Sequence, residues 1–253
     1  MSDKDDIIAP MIPWGVTHGL TMDYNGMVAP IGAYNFKAAV WYQGESNIYF
    51  PEHYRTTMAA MMADWRAQFA NPTMPFLIVQ VPNYGAYSAT PNASTGWSQV
   101  REAQRLGVKA DPHAALSVLI DIGDPTSLHP TDKLDVGKRL SIAARHIVYG
   151  EAIPPSGPEV AAAVRNGSNV TVHFSGINGT LTSRSGVNGF ELCGPKQASC
   201  RWAHADIKGN SIVLANAGNA TRVRYCWGDS PVCTLYDTSG LPAGPFEQKI
   251  TAK

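Results

Sequence analysis

Three short runs of nearly unbroken apolar character, at residues 38–42, 76–81 and 115–120, constrain this chain more than any other feature. Each is too short for a helix and lacks the alternation of a strand with one wet face, so each reads as a strand buried on both sides. The stretches between them have helical spacing. Pro51 opens a helix at a position where its missing N–H costs nothing, and Tyr54, Met58, Met61, Trp65 and Phe69 recur at three- and four-residue intervals to form its inner face. A second helix is expected over residues 97–106. A third spans about residues 131–149, with Leu134, Val136, Leu140, Ile142 and Ala143 on its apolar side. Strand and helix in strict alternation imply parallel pairing with right-handed crossovers. The fold class expected is therefore α/β.

In an open parallel sheet the ligand sits beyond the carboxyl ends of the strands. Three loops lie there: residues 43–47, 82–87 and 121–130. The first continues Trp41-Tyr42 into Gln43-Gly44-Glu45-Ser46-Asn47. The last reads Asp121-Ile122-Gly123-Asp124-Pro125-Thr126-Ser127-Leu128-His129-Pro130. Ester hydrolysis needs a nucleophile, a base, a group that orients the base, and donors for the developing oxyanion. Ser46 is the candidate nucleophile and His129 the base, a residue whose ordinary pKa suits proton transfer near neutrality. Glu45 or Asp124 would orient the imidazole, although Asp124 is equally suited to capping its own turn. Asn47 and the amide at Gly44 are the oxyanion donors, and Gln43 and Tyr84 the substrate contacts. A non-catalytic alternative uses Tyr42, Tyr84, Tyr87 and Trp97 as stacking surfaces for sugar rings.

After the Pro-Pro-Ser-Gly-Pro run at 154–158 the pattern changes to short alternating stretches punctuated by Gly and Asn, so residues 1–157 are read as the α/β domain and 158–253 as a β-rich module. His173, on one of these strands, reads as solvated or structural. The four cysteines, Cys193, Cys200, Cys226 and Cys233, fall in this module as two pairs whose spacing is too wide for a zinc knuckle. They suit either two hairpin disulfides in an exported protein or free buried thiols. Residues 1–30, rich in Pro, Gly and Met, read as an extended surface segment with a turn at residues 23–27.

With 20 Lys and Arg against 20 Asp and Glu, the chain has no positive field for a phosphate backbone, so nucleic acid is not an expected partner. No stretch approaches the roughly 20 apolar residues needed to cross a bilayer. The first six residues are acidic where a signal peptide would be basic and then apolar, so neither membrane association nor a signal peptide is read here, and the location is left open.

Four blocks together resemble the bacterial sialate O-acetylesterases of the SGNH hydrolase superfamily. They are residues 23–30, residues 41–47, residues 121–130 with Lys133, Val136, Gly137, Arg139 and Leu140, and the late stretch from Arg224 to Phe246 that includes Cys226, Trp227 and Cys233. The resemblance implies a flavodoxin-like three-layer α/β/α domain, removal of O-acetyl groups from sugars such as sialic acid, no metal or other cofactor, and an exported family. In that family the nucleophilic serine lies in an upstream Gly-Gln-Ser-Asn block, and a second glycine block supplies an oxyanion donor. Neither block is found here, and Thr126 and Ser127 stand where the family's acid precedes its histidine. The chain thus looks like the carboxyl portion of a longer esterase. Either Ser46 serves as nucleophile, or another polypeptide supplies the missing half, or the chain folds without catalysing. A sheet edge left bare by the absent strands would favour a homodimer.

Overall fold

In β2, Phe76–Val79, all four side chains are buried. Successive residues of a strand point to opposite faces, and the packing follows. Phe76 and Ile78 join Tyr54, Met58, Met62, Trp97, Val100 and Ala103 in one cluster. Leu77 and Val79 pack instead with Ala115, Leu119, Val136 and Ala143. The computed structural model that shows this describes residues 21–91, 95–196 and 199–252. It places β2 between β1, Ala39–Tyr42, and β3, Ala114–Ser117, with both pairings parallel. Helices α1, Pro51–Gln68, and α2, Gly96–Lys109, cover one face, while α3, Lys133–Ile147, covers the other.

Each helix begins where its sequence dictates. Pro51 lies in the first turn of α1. Thr95 caps α2, its hydroxyl accepting from Ser98 N–H while the Ser98 side chain answers Thr95 N–H. Asp132 accepts from Asp135 N–H at the start of α3.

Several expectations need correction. Residues 24–28 form a π-helical turn followed by a 3₁₀ turn at Ala29–Ile31, so this part of the expected extended segment is coiled; residues 1–20 lie outside the described residues. The inner stripe of α1 is Tyr54, Met58 and Met62, whereas Met61 and Trp65 are half-buried. Leu134 is 69% exposed, because two positions beyond it Val136 faces the sheet and two residues turn a helix by about 200°. The second and third strands end at Val79 and Ser117, earlier than their apolar runs. Beyond those points side chains replace strands as backbone partners. Val81 N–H is taken by Gln104 Oε1 at 3.0 Å, Val81 C=O by Arg101 Nε at 3.0 Å, and Val118 C=O by Arg139 Nη1 at 2.7 Å.

The remaining chain is β-rich. Strands β4 (Glu159–Asn166), β5 (Asn169–Ser175), β7 (Phe190–Cys193), β8 (Cys200–Trp202), β9 (Ala205–Lys208), β10 (Ser211–Leu214), β11 (Arg222–Tyr225) and β13 (Phe246–Thr251) form one sheet in the order β8-β7-β11-β13-β4-β5-β10-β9. Only the β13 and β4 pairing is parallel. Strands β6, Leu181–Thr182, and β12, Tyr236–Asp237, pair separately. The core of this region, with Val172, Leu192, Ile212, Val223 and Phe246, also takes in Val118 and Ile120 from the loop after β3. One apolar cluster therefore spans both regions. Cys193 and Cys200, directly opposite across β7 and β8, form one disulfide, and Cys226 and Cys233 the other. His173 is exposed, with its Nδ1 2.9 Å from Ser211 Oγ.

Candidate active site

Gly44 ends the run that β1 begins. Its φ of +154° lies outside the usual range of residues with a side chain, and a Cβ there would sit 2.8 Å from Val81 Cγ1 and 3.0 Å from Val100 Cγ1. Only glycine lets the chain pass this close to β2 and α2 before it coils into the 3₁₀ turn Glu45–Tyr49. The turn is held from beneath. Gln43 C=O accepts from Tyr54 Oη at 2.7 Å and from Gln104 Nε2 at 3.2 Å, and the Gln43 side chain donates to Asn47 Oδ1 at 2.7 Å. With its Oδ1 engaged, Asn47 retains a side-chain N–H₂ as a donor. Ser46 is exposed on this turn, and its hydroxyl bonds to no described residue.

The other two loops are tied to each other. Gly123 N–H donates to Asn83 Oδ1 at 2.7 Å, and Gly85 N–H to Pro125 C=O at 3.1 Å. The space that a side chain at Gly123 would need is filled by Asn83. The third loop and the helix it leads into lie near the end of β1, without a hydrogen bond to residues 43–47 among the described residues. Lys133 Nζ lies 5.3 Å from the centre of the Tyr42 ring, and Tyr42 and Ile122 pack on the same cluster with Val79 and Leu119. Burial, followed by the Glu45 charge, pushes the Tyr42 phenol up to about 12. Asp121 is fixed by Arg139 through a two-pronged contact at 2.6 and 2.8 Å.

Not every expected residue enters a network. Asp124 Oδ1 accepts from Thr126 N–H and Thr126 Oγ1, both at 2.7 Å, and these bonds hold its carboxyl below the usual range. Of its two expected roles, Asp124 fills that of turn cap. His129 is exposed, and its backbone N–H donates to Ser127 Oγ at 3.1 Å. Among the described residues no hydrogen bond joins His129 to Ser46, Glu45 or Asp124. Tyr84 rests against Trp97, with ring centres 5.4 Å apart, and its N–H donates to Asp229 C=O at 3.2 Å.

The residues that position these loops were missing from the sequence reading. Arg101, fully buried, donates to the carbonyls of Val81, Pro82, Gly228 and Asp229 at 2.6 to 3.0 Å. Burial pulls its guanidinium down to about 9 against the opposing effect of the Asp229 carboxylate, so it stays cationic at neutral pH. Gln104 ties the ends of β1 and β2. Both share a helix face with Trp97, at intervals of four and three residues, and a polar residue on such an inward stripe was the available signal. The one clustered set of metal-ligating types among the described residues, Glu191, Cys193 and Cys200, has both sulfurs joined in a disulfide and so offers no thiolate.

A parallel sheet with helices on both faces and three polar loops at its strand ends, two of them bonded to each other, is the frame of an α/β enzyme. Residues 14–143 match the family model of carbohydrate esterases described as sialic acid-specific acetylesterases, and the chain belongs to that family. The sialate O-acetylesterase of Rattus norvegicus is 28% identical over 254 residues, covering 90% of this chain and 47% of the relative. The Homo sapiens protein of the same name is 28% identical, with 90% and 49% covered. A crystal structure of XAC1771, described as a novel carbohydrate acetylesterase from Xanthomonas citri, superposes with a TM-score of 0.81 at 37% identity over 89% of this chain and 53% of that one. The chain spans about half the length of the curated relatives it matches.

Proposed function

We propose that this protein is a serine ester hydrolase that removes acetyl groups from carbohydrates such as O-acetylated sialic acid. The domain bearing the site, residues 1–157, would be a three-layer SGNH-type unit, followed by a β-rich module at 158–253. The observation that carries this reading is that three polar loops stand at the carboxyl ends of one parallel sheet, two of them bonded to each other, in a chain of the carbohydrate esterase family. His129 takes the proton of Ser46 Oγ as the oxygen attacks the acyl carbonyl and delivers it to the departing sugar oxygen. Water, deprotonated by the same imidazole, then attacks the acetyl-enzyme, and acetate leaves as Ser46 Oγ takes the proton back. Asn47 and the Gly44 amide face the developing oxyanion, while Gln43 and Tyr84 contact the sugar. Between the two acids, Glu45 is the better partner for the imidazole, since Asp124 already spends Oδ1 on Thr126. A Ser–His bond that tightens only when substrate binds agrees with an open arrangement in the free protein.

Incubation with a fluorophosphonate and peptide mapping tests this reading: modification of Ser46 supports it. Sugar binding without modification would instead favour a non-catalytic carbohydrate-binding protein. We further propose a homodimer formed along β1, which pairs only with β2 among the described residues and exposes Val40 by 55%. A light-scattering mass equal to the monomer at micromolar concentration would rule it out.

A further inference from the structure

A groove of about 330 Å³ opens on the β-rich side, and its walls include Ser88, Asn188, Trp202, Trp227, Pro231 and Val232. Its size falls within the range of small-molecule sites. No charged residue lines it, so it offers nothing to hold a phosphate or carboxylate. Trp202, on the edge strand β8, is 41% exposed and lines this groove, so its ring presents an accessible apolar face there. Trp227 is 5% exposed and its indole N–H bonds to no described group, while the Arg224 guanidinium, 4.6 Å from the ring centre, holds the ring in place. The Asn188 carboxamide and the Ser88 hydroxyl are likewise without partners among the described residues. An apolar ring face together with uncharged donors and acceptors suits a neutral sugar, whose C–H face stacks on an aromatic plane while its hydroxyls bond at the edges.

The groove is linked to the candidate active site through a shared segment of chain. The loop that leaves β2 carries Asn83 and Tyr84 and then Ser88. All three are fastened to one segment of the β-rich region: Asn83 Nδ2 to Ser230 Oγ at 3.1 Å, Tyr84 N–H to Asp229 C=O at 3.2 Å, and Ser88 N–H to Ser230 C=O at 3.1 Å. We infer that this groove is a subsite for a neutral sugar residue of an extended glycan, next to the acetylated residue at the strand ends. The inference rests on the esterase reading for the second half of that statement and on the groove alone for the first.

The test compares wild type with Trp202→Ala and Trp202→Phe. Three substrates are used: an aryl acetate, free O-acetylated sialic acid and O-acetylated sialyllactose. The expected result is a fall of about tenfold in kcat/KM for the Trp202→Ala protein on the sialyllactose ester only, with recovery in Trp202→Phe. A parallel calorimetric titration with unacetylated sialyllactose needs no catalysis: wild type should bind it and Trp202→Ala should not. If every ester is left intact but that titration behaves as expected, the esterase reading fails and the subsite stands. Equal losses on all three esters, or sialyllactose binding that is absent in wild type or undiminished in Trp202→Ala, would overturn the subsite.

Discussion

Arg101 donates from Nη1 to the carbonyl of Gly228 at 2.6 Å across 127 residues of sequence. The same guanidinium holds Val81 and Pro82, so one side chain fixes the loop after β2 to the β-rich region. A fully buried cation is costly unless its donors are all met, and here carbonyl oxygens meet Nε, Nη1 and Nη2.

Replacing Arg101 by Met removes the donors and leaves these carbonyls facing an apolar chain. Loss of one side of a buried charged network costs about 3–5 kcal/mol. Thermal unfolding should show a midpoint lowered by the order of 10 °C.

Gly44→Ala brings a methyl group against Val81 and Val100 in a backbone conformation that alanine rarely adopts. The strain should cost about 1–3 kcal/mol and displace the turn that carries Ser46 and Asn47. Urea denaturation measures the first effect. Ester turnover measures the second, and it should fall by more than the stability loss explains.

His129→Ala should lower turnover of a short aryl ester by about four powers of ten or more, as expected for loss of a triad base, with an unchanged circular dichroism spectrum. Ser46→Ala should do the same. Combining the two should add little, because residues that act as a unit are not additive.

Asp111 governs part of the acid limb. Burial pushes its carboxyl up, but the Arg66 guanidinium, bonded at 2.6 and 3.2 Å, outweighs burial and holds it below its usual range. The folded pKa therefore lies below the unfolded value of about 3.9. The stabilisation is complete above the unfolded pKa and is lost as pH falls through the folded one. Asp111→Asn should be less stable than wild type at pH 6, and the two should converge near the bottom of the acid titration, as read from urea midpoints.

The strands were legible from their apolar runs, but the expectation of burial on both faces holds fully only for β2. β1 is an edge strand without a fully buried side chain, with Val40 55% exposed, and apolarity alone does not tell an edge from a centre. The ends of the strands were not legible. At Val79 and Ser117 the apolar run continues while the ladder stops, since Gln104, Arg101 and Arg139 take over the backbone groups, and apolarity does not record who the hydrogen-bond partner is. Residues 43–47 were legible as a loop at a strand end, whereas the 3₁₀ turn that begins at Glu45 was not. The anchoring by Tyr54 and Gln104 was hidden because these residues arrive from helices that read as core. The two cysteine pairs were visible as pairs whose spacing suits hairpin disulfides, and both bridges are formed, although spacing alone does not exclude free buried thiols.

The bridge between Cys226 and Cys233 closes the short segment that presents Gly228, Asp229 and Ser230 to Arg101, Tyr84 and Asn83. Thiol oxidation state, far along the chain from His129, thus bears on the shape of the strand-end rim. A batch folded under reducing conditions would have the correct sequence and nearly the same mass, yet a looser pocket. Its specific activity would depend on how the protein was prepared.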